Sequence, residues 1–536
     1  MSQRRSAEAE GLHRRTLAVD PNTADALHLI GIIALRSGRS AEALLLIGRA
    51  IRIDRFAAAF HANLGLASAA LGRMDEALAA FQAAVLLMPD HATAWALRGA
   101  LLRDRGELTA ALRFYRLAIS CDPALSDAYC DLGNILFDQG LPNQSLEAYR
   151  AALCIEPAHG KVLANRANVF GALDRHREAI ATCRAAIRVT PLNATAHGNQ
   201  GNALHRLGHF DKAARCHRLA ACIKPDFIDC YANAALSLLS RGDLAEGWRL
   251  YERRWLNRPG SIGSDHRRAA QWRGEELRGR TILLHSEQGF GDTLQFCRYV
   301  ALVVQRGGEV ILGVQRPLLG LLRSLSHPVR LMADDEPLPS FDLHCPLLSL
   351  PLACGTGLDT IPAAIPYLRA DADLTADWRR RLGTIGLKVG LAWRGNKAHV
   401  NDRRRSIELT SLTDLIGQAP AKVQFVSLQI DATVEERAWL GGFANVRDLT
   451  SEITDFADSA AIIANLDLVL SVDSAVGHLA GALGCETWLM LPFIADWRWM
   501  LNREDSPWYP RHRLFRQRAP GRWDGVLARM AAELRR

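Results

Sequence analysis

Three short stretches hold the residue types that handle a charged small molecule, and all lie in the carboxyl-terminal half of the chain. The first is Ser286-Glu287-Gln288-Gly289-Phe290-Gly291-Asp292, between an apolar run and an amphipathic one. Gly289 and Gly291 keep the backbone bare so that a ligand can approach, and Asp292 opens the next helix. The second is Trp393-Arg394-Gly395-Asn396, followed by Arg403, Arg404 and Arg405. The third runs from Ser471 to Ala480 and contains Asp473-Ser474-Ala475. A helix that begins at Ser474 offers unpaired N–H groups and the positive end of its dipole to an anion. Two such helix starts with arginines on the loop between them suit a nucleotide diphosphate. Asp292 also has a plainer reading, as the cap of its own helix.

The elements that must position these loops can be read around them. From Thr281 the chain alternates buried strands (TILLHSE, EVILGV, KVGLAWRG, KVQFVSLQ, LDLVLSV, ETWLML) with helical segments. That alternation predicts an α/β architecture of parallel sheets with helices on both faces. Ligands of such sheets sit beyond the carboxyl ends of the strands, where all three loops fall. Two lobes are expected, 281–385 and 386–536, the second ending in a helix. The stretch 257–280 is rich in Arg, Gly and Ser and reads as a connector.

The first 256 residues follow a different rule. Every thirty-four residues a small side chain recurs, at Gly31, Gly65, Gly99, Gly133, Ala167, Gly201 and Ala235. A turn glycine recurs at Gly38, Gly72, Gly106, Gly140, Gly208 and Gly242, replaced once by Asp174, and a proline closes most units. Small residues let paired helices approach, glycine ends the first helix of a pair, and proline ends the second. The register resembles that of the tetratricopeptide repeat family, which implies an all-α superhelix of about seven repeats over 1–256 with a concave face for a peptide or protein. Asn63, Asp131, Asn165, Asn199 and Asn233 share one repeat position, and Asn134, Asn168 and Asn202 lie three residues after it. An amide carries both donor and acceptor, so this ladder could hold the main chain of a peptide; the competing reading is that it bonds neighbouring helices. The ladder is similar to that of the protein O-linked N-acetylglucosamine transferases.

In the second half, Gly291-Asp292 before a helix, and Asp473-Ser474-Ala475 followed by His478-Leu479-Ala480, resemble motifs of the heptosyltransferase (glycosyltransferase 9) family. The resemblance implies the GT-B fold, two Rossmann-like lobes with a cleft between them. It further implies an inverting, metal-independent transfer of sugar from a nucleotide diphosphate sugar to an acceptor held by the repeats. It makes Asp292 the catalytic base. It makes Asp473, Ser474 and Ala475 the segment that meets the donor diphosphate, with Arg405 where the family has a basic donor-binding residue; the loops themselves add Gly289, Gly291, Arg394, Asn396 and His478 to the expected donor-binding set. Ala475 stands where the family has glycine. A competing expectation is an adaptor whose GT-B part is catalytically idle.

Other classes are disfavoured. The chain has 536 residues and a net charge of +8, without the interleaved basic and aromatic residues of a nucleic-acid surface. No apolar run is long enough for a membrane span, and no secretory leader is evident. Eleven cysteines without a CxxC pair point to reduced thiols and a cytoplasmic location. No metal or cofactor is expected. His205 and His209 lack a completing ligand, and Asp371-Ala372-Asp373, though it spells the DxD of metal-using transferases, lies in the interlobe segment. The aromatic-dense segment Phe493 to Trp499 with Ser506 to Pro510 has two readings, a cover over the donor or packing between lobes.

Overall fold

The computed structural model describes residues 2–257, 269–384, 386–399 and 401–536. They form two compact units, 1–203 and 204–536. In the first unit, five helix pairs run between Ala24 and Val189, each joined by a tight turn. A Cβ at Gly31, Gly65 or Gly133 would come within 2.6 Å of Ile47, Phe81 or Tyr149, respectively, on the partner helix. The small-residue series is therefore the contact line of each pair. The turn series has an equally local cause. Gly38, Gly72, Gly106 and Gly140 have φ between 74° and 82°, and Asp174, the one replacement, has φ 58°. The chain must turn left-handed there, and aspartate is among the few other residues that tolerate it.

The second unit begins in the last turn of the helix Ala194–Arg206 and continues through helices Phe210–Ile223, Ile228–Ser240 and Leu244–Tyr251. The repeats were expected to close a domain at 256. Instead, Ala235, Leu239, Leu244, Trp248 and Tyr251 belong to the same apolar core as the sheets that follow. Trp248 meets Trp497 edge-on, with ring centroids 5.0 Å apart. The last helices thus bury their apolar face against the α/β region.

Two parallel sheets follow. The first contains β1 (Ala270–Gln271), β2 (Thr281–His285), β3 (Glu309–Val314), β4 (Arg330–Ala333) and β5 (Leu343–Pro346), in the order β1-β5-β2-β3-β4. The second contains β6 (Leu387–Ala392), β7 (Val423–Ser427), β8 (Val446–Arg447), β9 (Leu468–Val472), β10 (Thr487–Leu491) and β11 (His512–Arg516), in the order β11-β10-β9-β6-β7-β8. The expected connector 257–280 needs correction in part. Residues 258–268 of it lie outside the described residues, but β1 pairs with β5, and Trp272 and Leu277 are buried in the core. A second correction concerns the helix Ala372–Leu382, assigned above to the first lobe. Its buried Trp378 donates from Nε1 to Asp458 at 3.1 Å, on a helix that connects strands of the second sheet.

The strand orders locate the switch points. In the second sheet the chain builds outward from β6 through β7 to β8, then returns to β9 and builds the other way. The neighbours β6 and β9 are therefore where their following loops diverge and leave a crevice. In the first sheet the same reversal falls between β2 and β5.

Candidate functional site

The loops after β2, β6 and β9 face one cleft of about 610 Å³ within the second unit. Of the expected donor set, Gly289, Gly291, Asn396, Arg405, Asp473, Ser474, Ala475 and His478 line it, as does Asp292. Arg394 does not. Its guanidinium is held by Glu436 and by the Asp431 carbonyl at 2.7 Å, so its charge is spent on the far side of the loop. The Gly395 position shows how tightly this loop folds, because a Cβ there would meet the Arg405 guanidinium at 2.5 Å.

The helix Ala475–Leu483 begins at Ser474, whose backbone is extended and whose hydroxyl makes no cap bond. That hydroxyl is engaged by Ser471 Oγ at 3.1 Å. The first-turn N–H groups of Ala475, Val476 and Gly477 therefore have neither a carbonyl behind them in the helix nor a capping side chain. The nearby helix Phe456–Ile463 differs: Asp455 caps it at 2.7 and 3.2 Å. Arg405 reaches the same place, donating to the Asp473 carbonyl at 3.0 Å. The Asp473 carboxyl is buried, and burial together with the charge of Asp496 pushes its pKa up to about 6, against the opposing pull of Arg405.

Asp292 is the third residue of the helix Phe290–Phe296, whose cap is Gly289. One carboxylate oxygen accepts the Gly289 N–H at 3.0 Å, so the capping reading of this residue describes a real bond. The other oxygen is paired with Arg498. Burial raises the Asp292 pKa and Asp496 adds to it, while Arg498, the Gly289 N–H and His399 oppose the rise. Gly291 serves packing as well as access: a Cβ there would stand 2.7 Å from His478 Cδ2. His478 is fixed by the Tyr509 hydroxyl at 2.9 Å and stacks on Trp499. Burial holds it well below its usual pKa, hence neutral.

Arg404, from the second loop, and Asp496 and Arg498, from the aromatic segment, line the cleft although outside the expected donor set, and His399, Gln315, His205, Arg206, Leu236 and Ser240 join them without having been expected there. Arg206 donates to Asn401 at 3.1 Å. The His205 pKa is lowered to about 4 by burial, and its Nδ1 lies 2.9 Å from Ser237 Oγ. The aromatic segment divides its two readings. Trp499, Trp508 and Tyr509 are buried packing, whereas Ile494 to Arg498, the largely buried Trp497 among them, form a wall of the cleft. Among the described residues, no group of three or more His, Cys, Asp or Glu is placed to hold a metal. Asp371 has another use, since its carboxylate caps the helix Ala372–Leu382, accepting the Asp373 and Leu374 N–H groups at 3.0 and 2.9 Å.

The asparagine ladder divides as well. Asn63 donates to His28 at 2.9 Å, Asn165 to Asn134 at 2.8 Å and Asn199 to the Ala164 carbonyl at 3.0 Å. Each bond joins the first helices of adjacent repeats, as the competing reading expected. Asp131 accepts from Tyr115 at 3.1 Å and Asn134 from Tyr149 at 2.7 Å. Asn168 and Asn202 are exposed, and Asn233, in the second unit, is half-buried.

A family profile described as tetratricopeptide repeat matches residues 1–58, 29–87, 63–126 and 164–216, and a second profile of the same description matches 126–159. The repeats are tetratricopeptide repeats. Protein FlbA of Caulobacter vibrioides is 28% identical over 329 residues, covering 57% of this chain and 54% of FlbA. The chain thus spans about half the length of that relative. Among solved structures, YrrB, described as a TPR protein with an unusual peptide-binding site, is 20% identical, with a TM-score of 0.30 over 34% of this chain and 95% of its own. Pseudomonas aeruginosa pilF is 18% identical, with a TM-score of 0.36 over 39% of this chain and 94% of its own. Among the described residues, no helix is long and apolar enough to cross a membrane.

Proposed function

We propose that the second unit is a glycosyltransferase of the GT-B type, similar to the heptosyltransferases. It would move a sugar from a nucleotide diphosphate sugar to an acceptor, a protein or peptide presented by the tetratricopeptide repeats. The observation that carries the reading is the meeting of Asp292 with the uncapped helix start at Ala475 and with Arg405 in one cleft. Uncapped N–H groups and an arginine stabilise a diphosphate as its charge develops on leaving. The acceptor hydroxyl gives its proton to Asp292 while its oxygen bonds to the anomeric carbon. The bond from that carbon to the diphosphate breaks on the opposite face, so the configuration inverts. No cofactor enters this scheme. General-base catalysis of this kind contributes about 10²–10⁴ in rate. Asp292→Asn is expected to lose that factor while keeping the fold and donor binding. Undiminished transfer by the variant would remove Asp292 from the role.

One observation favours a second reading, an adaptor with an idle cleft: both Asp292 oxygens are already engaged, by Arg498 and by the Gly289 N–H. The two readings separate on donor binding, which the adaptor does not need.

A further inference from the structure

Of the arginines that line the cleft, Arg405 and Arg498 are of opposite character. Arg405 donates once, to the Asp473 carbonyl, and its Nε lies 3.5 Å from Asp402. Its guanidinium keeps donors for a ligand. Arg498 instead has every nitrogen of its fork engaged: Nε donates to Gln295, Nη1 to Asp496 at 2.9 Å and Nη2 to Asp292. It is 7% exposed, and its guanidinium lies 4.5 Å from the Trp497 ring centroid and 5.6 Å from that of Phe296. Its aim is fixed from behind as well. Asp496 also accepts the Arg498 backbone N–H at 3.0 Å. The next turn is locked by Met500, a buried residue with φ 53°. A backbone conformation of that kind persists only where its surroundings over-determine it.

Arg498 follows β10 of the second sheet, whereas Asp292 and Gln295 lie on the helix after β2 of the first. We propose that Arg498 is the positioning residue of Asp292, a fork from the second sheet that fixes the carboxylate of the first sheet in the cleft. A planar guanidinium can hold Gln295, Asp292 and Asp496 at once, which a lysine ammonium on a flexible stem cannot do in the same geometry. The groups facing Asp292 are Arg498 and Asp496 from the loop after β10, His399 from the loop after β6, the Gly289 N–H, and His478 against Gly291. Of the cationic partners, Arg498 is the one in direct contact. The proposal rests on the reading of Asp292 as proton acceptor, but its first test does not.

That test is the titration of the Asp292 carboxyl in the full-length protein by infrared difference spectroscopy, with Asp292→Asn assigning the band. In Arg498→Met the titration is expected to move to higher pH, because burial then acts without the opposing charge. In Arg498→Lys it is expected to return towards the original position. Where transfer is measurable, the acid limb of kcat/KM follows the same order. Transfer at neutral pH falls about 10²-fold in the methionine variant, the cost of a misplaced reacting group. Should Arg498→Met fail to fold by circular dichroism, Arg498→Gln carries the same comparison. An Asp292 titration unmoved in the folded, uncharged variant overturns the proposal, whether or not the protein transfers sugar. If the titration moves but no donor binds, the glycosyltransferase reading fails and the positioning role stands.

Discussion

Replacing Gly291 by alanine tests the contact on which the cleft is built. The added Cβ would lie 2.7 Å from His478 Cδ2, where unstrained carbon contacts are about 3.5–4.0 Å. His478 has nowhere to go: its Nδ1 is tied to Tyr509 and its ring stacks on Trp499 with centroids 5.4 Å apart. The helix after β2 must shift instead. Overpacking of this kind costs about 1–3 kcal/mol. Alanine also helps a helix, by up to about 1 kcal/mol relative to glycine, and that gain must be removed from the measurement. Gly525 supplies the control. It is the second residue of its helix, as Gly291 is of its own, and a Cβ there has nothing within 4 Å. Gly291→Ala should therefore be about 1–3 kcal/mol less stable than Gly525→Ala, the propensity gain cancelling. For domains of a few hundred residues this is about 2–4 °C of Tm per kcal/mol, well within reach of scanning calorimetry. Equal melting temperatures would mean that the helices after β2 and β9 do not pack as described.

The same change at Gly395 should act differently. Its Cβ would displace the flexible side chain of Arg405, held by one bond to a carbonyl, rather than a locked ring, so Gly395→Ala should melt within about 1 °C of the parent. It should nevertheless weaken binding of a nucleoside diphosphate about tenfold or more, the worth of a displaced charged donor, as read by calorimetry. A pH dependence follows from Asp473, whose pKa is raised to about 6 from the ordinary 3.8. Between these values the folded protein holds a proton that the unfolded chain releases, so stability falls as pH rises from about 4 to 6. Asp473→Asn should flatten that part of the stability profile measured by urea unfolding. An unchanged slope would show that Asp473 titrates normally.

How much of this was legible in the sequence follows from how local each cause is. The repeats were readable because each unit restates the same steric problem: a small residue facing the partner helix, and a left-handed turn that even Asp174 adopts. The three loops were readable because each sits directly after a buried strand, and the fold delivers strand ends to one place. The partners within that place were not. Arg498 and Asp292 are 206 positions apart in the chain, and the spacing of neither betrays the pair. The aromatic run around Arg498 carried the one available hint, since an arginine among buried rings requires a partner. Arg394 misled for the opposite reason. It sits beside Gly395 in a plausible loop, but Glu436, on the helix Val434–Leu440, claims its charge. The asparagine positions were readable as a ladder, whereas the direction of their bonds depends on how adjacent repeats stack. The ends of the connector were lost because β1 is two residues long and earns its place only by pairing with β5.

We propose that the cleft receives a nucleotide diphosphate at the helix start of Ala475 beside Arg405. Calorimetric titration of the full-length protein with a panel of nucleoside diphosphate sugars tests it most directly, using Arg405→Met and Asp292→Asn alongside the parent. Saturable binding of at least one donor is expected, about tenfold or more weaker in Arg405→Met and nearly unchanged in Asp292→Asn. Failure of every donor to bind, or binding that Arg405→Met leaves intact, would contradict it.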